Sequence, residues 1–293
     1  MKNANNKIKI NLLAKKIKNL PKEIFGKKPM LVSSSISPGF YNWGDDASVV
    51  IAQLINPHID ILPYKYTFNI FGRDNYLCVG SIISWLTTPK SIIWGSGIQF
   101  PTDQIIHNGK VVKPKKVLAV RGPLTRDVLL SRGIDCPEIY GDPALLFPKY
   151  YTSPVQKKYK CGIIPHFKDK KSAYLQRFVD NENYKIINIQ DFSDWRKFID
   201  DINSCEYIIS SSLHGIIIAD AYGIPNSWVE FDRKDLKRFT FQDYFASVNK
   251  NINEPIDLEN IKTLEDVEVL KKDWKKPEID LEKLLAVCPF LNK

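Results

Sequence analysis

The sequence predicts an α/β protein made of two doubly wound domains that face each other. Three observations carry this. Strand-like and helix-like patterns alternate from residue 29 to about residue 231, and such alternation implies parallel sheets with right-handed crossovers. The pattern breaks between Pro148 and Lys160, where prolines, tyrosines and lysines replace the periodic residues. The chain has 293 residues, a length that suits about two domains. The expected organisation is a basic amphipathic segment over 1–28, domains over 29–150 and 155–250, and helices over 251–293 packing across both.

The elements follow in order. Met30-Leu31-Val32 reads as a first strand, and Asp45 to Ile55 as a helix with Val49, Val50 and Leu54 on its apolar side. Tyr76 to Gly80, Ser91 to Trp94 and Lys116 to Val120 are short apolar strands. Pro123 suits a first helical position, and that helix runs through Leu124, Val128 and Leu129 to a Gly133 cap. Cys161 to Ile164, Lys185 to Ile189, Tyr207 to Ser210 and Ser227 to Phe231 are later strands. Tyr174 to Val179 and Trp195 to Ile202 are helices between them. Ile216 to Gly223 is a helix stopped by Pro225, and Leu281, Leu284, Leu285 and Cys288 mark a last one.

Composition narrows the class. Hydrophobic content of 44% and charged content of 26% are those of a soluble globular chain. No apolar run approaches the ~18 residues of a membrane span, and no apolar h-region follows the first lysines, so a cytoplasmic protein is expected. The five cysteines are scattered and form no CxxC, which argues for reduced thiols and against a disulfide framework or a zinc site. Of the net charge of +9, residues 1–28 carry +8, from nine lysines against Glu23. A uniformly basic nucleic-acid binder would spread its charge, so no nucleic-acid partner is expected. Leu13, Ile17, Leu20 and Ile24 fall on one helical face, with Lys15, Lys16, Lys18 and Lys22 on or beside the other. Such a helix either lies on an anionic leaflet at the inner face of the membrane or packs its apolar face on the protein.

The chemistry-bearing residues sit at strand ends, where open parallel sheets bind ligands. Ser210 to Gly215 spells SSSLHG between a strand and a helix. The free N–H groups of Ser211, Ser212 and Leu213 suit an anion, and His214 suits proton transfer near neutral pH. Gly39 to Asp46 follows the first strand and brings Asn42 and Asp45. The Gly95-Ser96-Gly97 turn lacks the third glycine of a dinucleotide signature. Arg121, in Arg121-Gly122-Pro123, offers a planar fork for a carboxylate or phosphate. Asp142 in Gly141-Asp142-Pro143 either caps its turn or holds a loop or a substrate hydroxyl. His166 and Glu230 stand at two further strand ends.

Together these segments resemble the polysaccharide pyruvyl transferase family. The matching pieces are YNWGDD at 41–46, WGSG at 94–97, VRGPLTRDVLLSRGI at 120–134, YGDPALLFP at 140–148, IIPHF at 163–167, SSSLHGIIIADAYGIP at 210–225 and FQDYFAS at 241–247. The resemblance implies two Rossmann-like domains in a GT-B-like pair with the site in the cleft. It implies transfer of the pyruvyl group of phosphoenolpyruvate onto sugar hydroxyls, as a ketal, on a bacterial surface polysaccharide or its polyprenyl-linked precursor. It also implies that Arg121 and His214 belong to the site. Arg121, Ser211, Ser212 and Leu213 are then expected to hold the donor, with Asn42, Asp142 and His166 as further substrate contacts. His214 is the expected acid and Asp45 or Glu230 the base, with no metal or other cofactor. Two other readings share the fold: a glycosyltransferase using a nucleotide sugar, and a glycan-binding protein without chemistry.

Overall fold

The computed structural model describes residues 2–34, 41–179, 181–191, 194–231 and 238–291, with side chains from Ile8 onward. Gly39 and Phe40 of the first loop therefore lie outside the described residues.

The strands are β1 Met30–Val32, β2 Ile61–Pro63, β3 Asn75–Leu77, β4 Ser91–Trp94, β5 Ile106–His107, β6 Lys110–Val111, β7 Lys116–Ala119, β8 Tyr159–Ile164, β9 Tyr184–Ile186, β10 Cys205–Ser210, β11 Asn226–Glu230 and β12 Ile256–Asp257. The helices are α1 Lys2–Phe25, α2 Trp43–Ile55, α3 Ile83–Leu86, α4 Pro123–Ser131, α5 Phe147–Tyr150, α6 Gln176–Val179, α7 Trp195–Asn203, α8 Leu213–Ala221, α9 Arg238–Ser247, α10 Leu264–Asp273 and α11 Leu281–Ala286.

Two five-stranded sheets form among the described residues, in the orders β2-β1-β3-β4-β7 and β12-β11-β10-β8-β9. Every pairing in them is parallel. Among the described residues only β5 and β6 pair antiparallel, as a separate hairpin. Parallel strands are covered on both faces, so their sequences are continuously apolar. Tyr207, Ile208 and Ile209 in β10 and Ile163 and Ile164 in β8 are fully buried. The strand order reverses at β1/β3 in the first sheet and at β8/β10 in the second. Ligands of such sheets bind beyond the strand ends at these switch points.

Local chemistry sets the helix starts. Asn42 caps α2, accepting from the Gly44 N–H, with Asp45 and Asp46 in the first turn. Pro123 opens α4. Asp194 caps α7, which buries Phe198, Ile199 and Ile202. In α8, Ile216, Ile217 and Ile218 are wholly buried, each worth about 1.5–3 kcal/mol relative to exposure. The helix closes at Gly223, whose φ of 68° suits a residue without a side chain.

One core cluster joins residues of both sheets. It includes Val32, Trp43 and Trp94 from the first half and Ile164, Phe198 and Ile216 from the second. Trp43 packs on Phe147 and Phe198 and donates its indole N–H to the Trp195 carbonyl. The end of the chain returns to the first half, where the Leu284 carbonyl accepts from the Trp94 indole and the Phe290 carbonyl from Asn56. A buried polar knot ties α8 to the later chain: Asp220 accepts from Asn226, Tyr244, Lys250 and Trp274.

The sequence reading missed β2, β12, the β5–β6 hairpin and α9. The strands are two or three residues long, too short for a period to show.

Most of the apolar face of α1 is not turned inward. The buried and half-buried side is Leu12, Lys15, Lys16, Asn19, Leu20 and Glu23, so of the predicted face only Leu20 turns toward the body, and Ile10, Leu13, Ile17 and Ile24 are exposed.

Candidate active site at the two switch points

A cavity of about 280 Å³ opens where the two switch points meet. The first sheet contributes Asn42 and Asp45 after β1 and Ser81 after β3; the second contributes His166 to Asp169 after β8 and Ser211 to His214 after β10. Glu230 at the end of β11 and Arg238 and Phe241 of α9 line the remaining side. Trp228 stacks on Phe241 at 4.5 Å and forms an aromatic wall there.

His214 sits in the first turn of α8, on the cavity wall, and is 6% exposed. Its ring lies against Gly44, where a Cβ would overlap the imidazole, so glycine at 44 is what lets the α2 start meet it. On the far side is Asp142, wholly buried. The Val120–Tyr140 bridge brings the Gly141-Asp142 turn to the end of the first sheet. Asp142 Oδ1 accepts the Ala144 N–H at 2.9 Å. Its Oδ2 lies 3.7 Å from His214 Nε2, and both atoms are buried without a hydrogen-bond partner among the described residues. At that distance no hydrogen bond is closed, and a small movement would make one that orients the imidazole.

The start of α8 is open. Ser212 precedes the helix but makes no side-chain cap, which leaves the first-turn N–H groups of Leu213 and His214 for a ligand. The Ser211 hydroxyl accepts from the His166 N–H at 2.8 Å and donates to Asp169 at 2.8 Å. It braces the two loops of the second switch point. His166 packs on Phe167 at the mouth. Asn42 donates to Asp45 Oδ2 at 3.3 Å, which aims Asp45 at the cavity. The neighbouring Asp46 has a different job. It is buried and pairs with Lys65 at 3.3 Å, and burial pushes its carboxyl up against the pull of that lysine.

Four expectations are corrected. The N–H groups of Ser211 and Ser212 are not free, since they donate to the Ile164 carbonyl at 3.1 Å and the Ser210 hydroxyl at 3.0 Å. Arg121 is not an open fork: it is fully buried, off the cavity lining, with Nε on Asp243 at 2.9 Å, one amino group on Ser81 at 2.6 Å and the other on the Ile98 carbonyl at 3.0 Å. Gly97 permits this, because a Cβ there would meet the guanidinium. The cavity wall there is Ser81, with Arg121 behind it. Glu230 is not an unengaged base, because Arg238 grips both its oxygens, at 3.0 and 2.8 Å. Asp142 does not line the cavity; it lies behind His214 rather than against a substrate hydroxyl.

Lys168, Ser81, Asp169 and Arg238 were not picked from the sequence. Lys168 and Arg238 are the lysine and arginine on the cavity wall among the described residues. Arg238 also pairs with Glu254, and its carboxylate bonds hold its guanidinium above the ordinary range. No pattern marked them, since both stand in charged surface stretches. Among the described residues no group of three or more His, Cys, Asp or Glu is placed to hold a metal ion.

The sequence model of the family described as polysaccharide pyruvyl transferase matches residues 10–233. The chain belongs to that family. It is 32% identical over 182 residues to an uncharacterised protein of Acanthamoeba polyphaga mimivirus, covering 59% of this chain and 60% of that protein. It is 24% identical over 191 residues to the succinoglycan biosynthesis protein ExoV of Rhizobium meliloti, covering 63% of this chain and 54% of ExoV. The matches thus span little more than half the length of these relatives. A crystal structure of a functionally uncharacterised Klebsiella pneumoniae protein superposes with a TM-score of 0.44 at 16% identity, covering 81% of this chain and 94% of that one. Among the described residues, no helix is long and apolar enough to cross a membrane.

Proposed function

We propose that this pyruvyl transferase family member moves the pyruvyl group of phosphoenolpyruvate onto two hydroxyls of a sugar, forming a ketal on a surface polysaccharide or its lipid-linked precursor. The observation that carries the reading is His214, set between the cavity and the buried Asp142 carboxylate at the uncapped start of α8. The two halves act as lobes around the cavity in a GT-B-like pair.

The donor carries a carboxylate and a phosphate. The α8 start, Ser81 backed by Arg121, and the cations Lys168 and Arg238 supply complementary groups. Ketal formation needs a proton at the methylene carbon, attack of one hydroxyl on the adjacent carbon, and displacement of phosphate by the second hydroxyl, whose proton leaves with the phosphate. His214, with the Asp142 carboxylate behind it, delivers the proton. Asp45, held by Asn42, accepts the proton of the attacking hydroxyl. Glu230 is not used as the base, because Arg238 occupies both its oxygens. His166, Trp228 and Phe241 form the side on which a sugar ring packs.

The test is thermal stabilisation by phosphoenolpyruvate, with UDP- and GDP-sugars in parallel, followed by phosphate release on adding candidate acceptors. A ligand at ~100 times its Kd adds about 2.7 kcal/mol to the folded state. Stabilisation by phosphoenolpyruvate, lost in Ser81→Asp with the melting temperature of the unliganded protein kept, is the expected result. Stabilisation by a nucleotide sugar alone would overturn the reading.

A further inference from the structure

A helix lying on a globular body ordinarily turns its apolar stripe inward. α1 does the reverse, and its polar residues do the docking. The buried Glu23 carboxylate accepts the backbone N–H groups of Phe68 and Ile70, at 3.0 and 2.8 Å. Asn19 donates to the Tyr66 carbonyl at 3.2 Å, and Lys15 donates to the Tyr66 hydroxyl at 3.1 Å. The stripe left facing outward is Ile10, Leu13, Ile17 and Ile24, at i, i+3, i+7 and i+14, followed by Phe25, which is 85% exposed. The two bonds of Glu23 bring segment 67–71 alongside, and that segment exposes Phe68, Ile70 and Phe71. Lys16 lies over the Phe68 ring. Exposed apolar side chains gathered on two neighbouring elements mark an interaction site.

The charges say what covers it. By helical angle, Lys9 and Lys16 lie to one side of the stripe and Lys18 to the other, while Lys22 is further round and pairs with Asp60 at 3.8 Å; Lys27 and Lys28 lie just beyond the helix. A second copy of the chain would set this lysine-rich face against its own like charge, which disfavours self-association. An anionic lipid surface complements both parts, taking the apolar side chains into the headgroup boundary and the ammonium groups onto phosphates. We infer that α1 and segment 67–71 together form a docking face for an anionic bilayer surface, lying in its plane without crossing it. This goes beyond pyruvyl transfer and does not depend on it. It also bears on the cavity, because Tyr41, which accepts from Lys15 at 3.4 Å, directly precedes Asn42.

The experiment is co-sedimentation of the full chain with vesicles of phosphatidylcholine alone and with phosphatidylglycerol as half of the lipid. The expected result is binding to the anionic vesicles only, reduced by high salt. Two surface pairs, Ile17→Ser with Phe25→Ser and Phe68→Ser with Phe71→Ser, should each lower the bound fraction about tenfold with an unchanged melting temperature. Wild-type binding in the second pair would overturn the two-element face and leave the helix alone. Equal binding to both vesicle types would overturn the lipid charge requirement. No vesicle binding, with a dimer in analytical ultracentrifugation that the first pair abolishes, would make this a self-association surface instead. Turnover on a soluble acceptor is unchanged in these variants, so their outcome separates from that of the catalytic reading.

Discussion

Arg121→Ala separates two roles that the sequence alone cannot tell apart. If Arg121 is a donor clamp, its loss costs binding and leaves the fold intact. The structure says otherwise. Arg121 and Asp243 are both fully buried and meet at 2.9 Å. Asp243 also accepts the Thr125 N–H and hydroxyl, at 2.8 and 2.7 Å. Removing the guanidinium leaves a buried carboxylate with only neutral donors, and deprives Ser81 and the Ile98 carbonyl of theirs. Breaking one side of such a pair costs about 3–5 kcal/mol. Unfolding entropy of ~2.1 cal/mol/K per residue gives a chain of this length roughly 0.6 kcal/mol/K. The melting temperature should therefore fall by about 5–8 °C, read by differential scanning calorimetry. Arg121→Met with Asp243→Asn removes both charges and keeps an acceptor for Thr125, so it should recover at least about half of the loss. An Arg121→Ala protein melting within about 1 °C of the wild type, but unable to bind phosphoenolpyruvate, would refute the structural role and restore the open fork.

Two further outcomes are expected. Asp142→Asn keeps the Ala144 cap and removes the carboxylate behind His214, so turnover should fall about 10²–10⁴-fold with the melting temperature within about 2 °C; near-normal turnover would take Asp142 out of the mechanism. The five thiols are buried, and burial pushes Cys136 up to about 12 and Cys205 and Cys288 up to about 11. The thiolate is the reactive form, so iodoacetamide at pH 8 should label the native protein only at its unfolding rate; fast labelling followed by mass spectrometry would contradict the burial of the labelled residue.

Much of the site was readable because turn chemistry is local. A run of hydroxyls, a histidine and a glycine between an apolar strand and an apolar helix can form little else, and SSSLHG lies at the start of α8 on the cavity wall. Asn42 and Asp45 were readable for the same reason, as cap and first turn of α2. The fate of Arg121 was not readable. A guanidinium after a strand looks the same whether it meets substrate or a carboxylate 122 positions on, and nothing in FQDYFAS at 241–247 ties Asp243 to Arg121. Glu230 misled in the same way, since its partner Arg238 stands in a charged stretch without periodicity. The amphipathic pattern of α1 was plain, but periodicity marks a face and not the direction in which it points.

The sequence by itself determined the α/β class, most of the strands and helices, and the turns that carry His214, Asn42 and Asp45. These depend on interactions within a few residues, on alternation, caps and breakers. The tertiary structure alone decided which polar groups face the cavity and which neutralise one another behind it. Asp142 came to lie behind His214, Arg121 was closed off by Asp243, and α1 was held by Glu23 with its apolar stripe outward. Each of those outcomes rests on a contact between residues far apart in the chain, where the desolvation of a charge is offset only by a partner that folding brings to it.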